Sequence, residues 1–193
     1  MNRLDILKKE INYVKDSSRR GDLKTLIELL PEYFFEVPAS STGKYHPAFS
    51  LGDGGLVRHT KVAVRIAVEL LNNNSVGMKF NEKGRDLIIM ALILHDGVKS
   101  GMEKSKYTKA DHPLLVSKLI MENKDKLSMD IDDIRKMCSM IESHMGEWNT
   151  DPYTKEEILP IPRTAEQRFV HMCDYLASRK FLDVKFNEND IVD

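Results

Sequence analysis

Apolar residues recur along this chain at helical rather than strand spacing, and they mark out seven stretches. Leu4, Ile6, Leu7, Ile11 and Val14 give a first amphipathic helix within residues 3–16, and Asp22 reads as the N-cap of a second that runs to about Leu30. Pro31 and Pro38 close these helices. Residues 37–47 then have the turn chemistry of an irregular loop, which holds His46 just before Pro47. After Asp53-Gly-Gly55 a third helix is expected from Leu56 to about Asn72, with Leu56, Ala63, Ile66, Ala67 and Leu70 on one stripe and His59 falling on it. Asn72 to Ser75 reads as a loop.

The fourth stretch stands apart. Leu87-Ile-Ile-Met-Ala-Leu-Ile-Leu94 is an uninterrupted apolar run, suited to a segment buried on all sides, and His95-Asp96 follows at once. A carboxylate taken out of water without a partner costs several kcal/mol or more, roughly, so a dyad at the end of a core helix calls for one, and a cation is the obvious choice. This helix starts at about Glu82 and ends near Gly97 to Gly101, with Lys99 one turn beyond His95.

The last three stretches repeat the theme. Asp111 before His112-Pro113 signals a fifth helix with Leu115, Leu119 and Ile120 inside. A sixth, from Ile131 to about Met145, buries Ile134, Met137, Cys138 and Ile141 and carries His144 on the same face. Residues 146–163, with Gly146, Trp148, Pro152, Tyr153, Pro160 and Pro162, suit a long loop near the mouth of a site. Thr164 caps a seventh helix whose stripe is Val170, Cys173, Ala177 and Phe181, with Asp174 in its middle. No strand alternation, internal repeat or interdomain linker breaks the pattern. The expected fold is an all-α bundle of about seven helices, one domain over 1–193, in which helices within 1–45 pack on a core spanning 54–182.

Composition narrows the class. Lysine plus arginine (29) nearly cancel aspartate plus glutamate (30), for a formal charge of −1, so no global basic field argues for long-range capture of nucleic acid. Cys138 and Cys173 lack a paired spacing and read as reduced core thiols. The N-terminus has no signal-peptide apolar region and no run is long enough to span a bilayer, so the expectation is a cytoplasmic chain with no membrane contact.

The chemistry lies in where the ionisable residues fall. Any one of His59, His95, Asp96, His112, His144 and Asp174 alone would read as a hydrogen-bonded core residue. Together they put imidazole or carboxylate on several inward stripes, and helices around one core aim those stripes at a common centre. Nitrogen and carboxylate oxygen without thiolate suit Mn, Fe, Co, Ni or Zn as a divalent ion, and six ligands exceed what one ion with an open position takes from protein. The count points to two ions.

The ordered set His59, His95-Asp96, His112, His144, Asp174 resembles the signature of the HD-domain metal-dependent phosphohydrolases in its two-metal form. More narrowly, Tyr33-Phe-Phe-Glu-Val-Pro-Ala-Ser with His46, Gly54-Gly-Leu-Val-Arg-His-Thr60, Ala91-Leu-Ile-Leu-His-Asp-Gly-Val-Lys99, Ser143-His-Met-Gly146 and His171-Met-Cys-Asp-Tyr-Leu-Ala177 are similar to the HD half of YhaM-type 3′-to-5′ exoribonucleases and to short phage-associated HD proteins. The resemblance implies that His59, His95, Asp96 and Asp174 hold one ion and that Asp96 bridges to a second held by His112 and His144. It also implies that Lys99 faces a substrate phosphate, making Asp96 and Lys99 the catalytic pair. Arg58 stands where the family commonly has an acidic residue and is expected to add positive charge near the site. His46, Arg58 and Trp148 join Lys99 as expected substrate contacts. His171, one helical turn before Asp174, falls outside the ligand set and is expected either to hydrogen-bond a ligand or a neighbouring carbonyl or to be merely structural.

Carried to function, this implies hydrolysis of a phosphoester in a nucleotide or a short single-stranded nucleic-acid end, by hydroxide formed at two ions. A true 3′-to-5′ exonuclease would add an aromatic and basic groove, for which Tyr45, Phe49, Trp148, Tyr153 and Lys104 to Lys109 are the candidates. The nucleic-acid-binding β-barrel of the full-length exoribonucleases has no counterpart in the first 45 residues, which read as helices. A third possibility, of a different class, is a non-catalytic module that senses a nucleotide or binds a host factor.

Overall fold

A computed structural model describes residues 2–40, 42–44, 46–188 and 190–192. Among them lie nine α-helices and one minimal hairpin. The helices are α1 (Arg3–Ile6), α2 (Lys8–Ile11), α3 (Ser17–Leu29), α4 (Gly55–Asn72), α5 (Asn74–Gly77), α6 (Glu82–Leu94), α7 (His112–Glu122), α8 (Ile131–Glu142) and α9 (Ala165–Ala177); β1 (Phe186–Asn187) pairs antiparallel with β2 (Asp190–Ile191). The all-α expectation holds. No helix is long and apolar enough to cross a membrane among the described residues.

The apolar run of α6 forms the axis. Every residue from Leu87 to Leu94 is at most 3 % exposed, because α3, α4, α8 and α9 pack around it. At about 25 cal/mol per Å² of apolar surface removed from water, this is the main drive to compaction. Amphipathic α4 and α8 turn their apolar stripes inward, and α7 packs on α8. The inner face of α7 is Val116 and Ile120, with Leu115 and Leu119 only half-buried.

Several boundaries depart from the sequence reading, each for a local reason. The first helix is broken at Leu7, whose φ of −106° and ψ of 17° leave α1 and α2 as single turns. The second starts at Ser17, capped by Asp16, whose carboxylate accepts from Arg19 N at 2.9 Å. Asp22, expected as the cap, sits inside α3 and accepts instead from Ser128 N at 2.8 Å, Ser128 Oγ at 2.9 Å and Met129 N at 2.9 Å. Both aspartates are chemically good caps, and only the long-range partners on the loop before α8 separate their roles. Asp111 caps α7 without a side-chain bond, α8 stops at Glu142 before reaching His144, and Phe181 lies beyond α9 and is 80 % exposed. The asparagine-rich loop holds the short α5, where Asn73 Oδ1 accepts from Ser75 N at 2.9 Å. Thr164 caps α9 as expected, in a reciprocal capping box with Gln167.

Two buried polar groups fasten the N-terminal helices to this core. Lys61 on α4 is fully buried, with Nζ 3.4 Å from Glu10 Oε2 and 2.9 Å from Asp190 Oδ1. Asp86, buried near the start of α6, accepts from Lys15 N at 2.8 Å, Asp16 N at 3.0 Å and Arg19 Nε at 3.1 Å, so one carboxylate satisfies the turn that launches α3. Asp86→Ala strands two amide donors and a guanidinium, and we expect a loss of about 3–5 kcal/mol in urea unfolding. A loss within about 0.5 kcal/mol, typical of an ordinary surface change, would contradict this account.

Candidate metal centre

Five segments deliver the six candidate ligands to one end of the bundle. His59 comes from the inner face of α4, His95-Asp96 from the turn that ends α6, His112 from the first residue of α7, His144 from the turn after α8, and Asp174 from the middle of α9. The ring centroids of His59 and His95 are 5.6 Å apart, those of His95 and His144 4.8 Å, and those of His112 and His144 5.3 Å. His59 Nε2 donates to Asp174 Oδ1 at 2.9 Å, and His95 Nε2 lies 3.4 Å from the same oxygen. Asp96 divides its oxygens: Oδ2 faces His95 Nε2 at 3.6 Å and pairs with Lys99 Nζ, while Oδ1 faces His112 Nε2 at 2.9 Å and His144 Nε2 at 3.8 Å.

The backbone fixes which nitrogen each ring offers. His95 Nδ1 donates to Leu92 O at 2.7 Å, His112 Nδ1 to Lys109 O at 2.8 Å and His144 Nδ1 to Ile141 O at 2.7 Å, in every case the carbonyl three residues earlier. A carbonyl can only accept, so Nδ1 carries a proton in each ring and Nε2 is the nitrogen turned inward. Nε2 of both His95 and His112 is buried without a hydrogen bond, although buried polar atoms are almost always satisfied. Oriented imidazole nitrogens without a hydrogen bond, beside ionised carboxylates, suit a divalent transition ion, which would displace any proton from Nε2. Two ligand sets meet the spacing, His59 with His95 and Asp174, and His95 with Asp96 and His144, each with its donor atoms within 4.8 Å of one another.

The family model of the HD domain matches residues 56–179, well over half of the chain and the whole span of these ligands. The chain belongs to the HD-domain family. That places it in the metal-dependent phosphohydrolase superfamily. Neither the curated proteins nor the solved structures give a match to it.

Around the HD ligands a cavity of about 630 Å³ opens, lined in part by Asp96, Lys99, His46 and Trp148. Lys99 is positioned from behind, since Tyr33 Oη accepts from Ser100 N at 2.9 Å and donates to Gly101 O at 2.6 Å, bracing the turn that carries it. Gly97 makes that turn possible: a Cβ there would stand 2.6 Å from Leu30 Cδ2 and 2.9 Å from Leu94 O. His46 stacks edge-on to His59 at 5.5 Å, and its buried Nδ1 has no hydrogen bond. His171 braces the site as expected, its Nδ1 donating to His144 O at 2.7 Å.

Not every expected contact reaches the cavity. Arg58 sends its guanidinium to three loop carbonyls, Phe49 O at 2.5 Å, Leu51 O at 2.8 Å and Asp53 O at 2.9 Å, and is absent from the cavity wall. It pins the loop before α4 rather than adding positive charge to the site. Phe49 packs on Phe186, Tyr153 is 91 % exposed, Lys104 pairs with Glu36 and Lys106 covers Tyr107, so none of these lines the cavity either. Tyr45 lies outside the described residues. In the other direction, Tyr175 and Arg179 line the cavity without having been singled out. Their signal was available: His171, Tyr175 and Arg179 are spaced by four on α9 and just beyond it, on the side that holds Asp174.

Electrostatics keep both candidate carboxylates ionised and the His144 ring neutral. Burial alone would raise the Asp96 carboxyl, but the Lys99 ammonium and then the imidazoles of His95 and His112 hold it well below the usual range. Asp174 is likewise held low against its burial by His59 and His95. Burial first, and then the neighbouring imidazole, depresses His144 to about 3 and His46 to about 4. Unfolded histidines titrate near 6.5, so between about pH 6.5 and 4 the unfolded chain takes up protons that these two folded rings refuse. His95 is raised above its ordinary value, since its burial is outweighed by Asp96 and Asp174, and adds no slope in that window. Chelator-treated protein should therefore lose stability as pH falls from 6.5 to 4 in urea unfolding. His46→Asn should flatten that fall by roughly 1 kcal/mol per pH unit; an unchanged slope would show that His46 is solvated in the folded state.

Proposed function

We propose that this chain hydrolyses the phosphoester of a nucleotide or of a short single-stranded nucleic-acid end. The oriented and unpaired Nε2 atoms of His95 and His112, opening on a cavity that also holds Lys99, carry this reading. In it His59, His95 and Asp174 would hold one ion and His112 and His144 a second, with Asp96, whose Oδ2 faces His95 and Oδ1 faces His112 and His144, available to both. Mn, Fe, Co, Ni and Zn all suit such a donor set. Two divalent ions, when bound, supply Lewis acidity toward the phosphoryl oxygens and acidify a water for in-line attack.

The chain's own groups do the rest. The Asp96 carboxylate is kept ionised by Lys99, and Lys99, released from Asp96 as a dianionic phosphate enters, is placed to neutralise charge on the phosphoryl group. The reaction adds the water oxygen to phosphorus, breaks the ester P–O bond and returns a proton to the leaving oxygen. Asp174 is held by α9, and His144, in the turn after α8, is held by its bond to Ile141 O and by His171 on its own carbonyl.

The narrower reading, a YhaM-type processive exonuclease, needs a basic track leading away from the centre, and residues 104–109 contribute only Thr108 to the cavity wall. One nucleotide or one chain end suits the site better. The buried Cys138 and Cys173, whose thiols burial pushes up to about 12 and higher still, are inert and suit a reducing, cytoplasmic setting.

Two experiments test the assignment. Asp96→Ala should abolish hydrolysis at every substrate concentration, while His171→Ala, which loses the brace on His144 O and the packing beside Gly146, should lower activity about 10- to 100-fold. The assay is a nucleotide and phosphodiester panel at saturating Mn²⁺, with circular dichroism to confirm folding. An active Asp96→Ala beside a dead His171→Ala would require a different ligand frame, and a parent inactive on the whole panel would favour a nucleotide-binding module. In elemental analysis the double variant His112→Ala, His144→Ala should fall from two ions per chain to one; unchanged stoichiometry would refute the second site.

A further inference from the structure

Trp148 is the chain's single tryptophan, and it stands 47 % exposed on the wall of the cavity rather than in the core. Its indole lies nearly parallel to the Tyr175 ring, at 5.7 Å between centroids and 13° between planes. The Arg179 guanidinium in turn sits 4.0 Å from the Tyr175 centroid. Arg179 is tied there by Nε to Tyr175 O at 3.1 Å and by Nη2 to Ser178 Oγ at 2.7 Å. Indole and guanidinium thus both lie against the Tyr175 ring, and the indole is left half exposed on the cavity wall.

The stack is built from the segments that carry the ligands. Tyr175 follows Asp174 on α9, and Trp148 follows His144 by four residues, with its N–H donating to Met145 O at 3.2 Å. Between them Gly146 adopts a φ of +61°, and the His171 ring occupies the space a Cβ would need, 2.2 Å from its Cε1. The chain reverses at that glycine, and the imidazole that braces His144 also seats the loop presenting Trp148. An exposed indole held so closely to the metal ligands differs from Tyr153 or Met78, which lie singly on the surface away from the cavity.

We propose that Trp148, backed by Tyr175 and Arg179, is the platform on which the base of a single nucleotide stacks while its phosphate lies toward Asp96 and Lys99. This rests on the phosphohydrolase reading and narrows it. A flat aromatic face beside a phosphate-compatible cation matches a ligand that is aromatic at one end and anionic at the other, and every nucleobase offers a π-face to such a platform. The cavity of about 630 Å³ is of small-molecule size. Its basic side chains other than histidine, among the described residues, are Lys99 and Arg179 alone, which suits one phosphate-bearing unit rather than a polymer backbone. The platform therefore sets the preference for nucleosidic over plain phosphoesters.

Because no second tryptophan contributes, intrinsic fluorescence reports this position directly. Metal-loaded protein is titrated with AMP, GMP, CMP and UMP, and separately with ribose 5-phosphate and inorganic phosphate. At least one nucleotide should quench or shift the emission at saturation, whereas ribose 5-phosphate should bind without doing so. By calorimetry, Trp148→Ala should weaken that nucleotide about tenfold or more, leave ribose 5-phosphate unchanged, and be largely rescued by Trp148→Phe. In turnover the change should appear in KM for nucleotides with kcat retained. Absence of a signal from all four nucleotides, an equal signal from ribose 5-phosphate, or Trp148→Ala and Trp148→Phe both binding like the parent would each overturn the platform. Nucleotide binding through Trp148 without hydrolysis would leave the platform standing and sink the hydrolase reading; hydrolysis indifferent to Trp148 would do the reverse.

Discussion

A buried carboxylate at the end of the most hydrophobic helix is the constraint from which the rest of this structure follows. Asp96 is almost wholly removed from water, as are His95, His112 and His144, and such a cluster is tolerable only when its charges and lone pairs find partners. Lys99 supplies one partner, and three backbone carbonyls supply others by fixing the Nδ1 protons. The inward Nε2 atoms of His95 and His112 remain without one. The fold thus holds a polar centre that a divalent cation would complete, as suits a member of the HD-domain family.

The supports of this centre are backbone devices more than side-chain ones. The imidazoles of His95, His112 and His144 are oriented by carbonyls of their own turns, so each ligand is preset by local geometry before the helices dock. Tyr33, from a 3₁₀ turn far upstream, clamps the segment after Lys99, and His171 clamps the segment after α8. Such outer contacts decide how rigidly a metal frame is held, and here they come from segments that carry no ligand of their own or lie one turn away from one.

All six histidines of the chain take part in this one end of the molecule. Five of them line the cavity or belong to the ligand sets, and the sixth holds the backbone of a neighbour. The aromatic wall formed by Trp148 and Tyr175 stands on that same framework and lines the same cavity as Asp96 and Lys99.

What the sequence determined by itself was the periodic part. Uninterrupted apolar residues in α6 and amphipathic stripes in α4, α8 and α9 identify a helical bundle, and His59 and Asp174 can be read as inward-facing because side-chain direction on a helix is a function of residue number alone. His95, Asp96 and His144 fall just past helix ends, close enough for the same reading to single them out as candidates. The tertiary structure decided what depends on distant partners. Asp16 and Asp22 are equivalent as caps in isolation, and only the loop at residues 128–129 draws Asp22 inside. Arg58 reads as a site cation until the carbonyls of residues 49–53 claim its donors. Tyr175 and Arg179 read as an ordinary helix face until the turn at Gly146 brings Trp148 against them. Loops have no period to read, and the fate of a polar side chain on them is set by which unsatisfied group folding places within its reach.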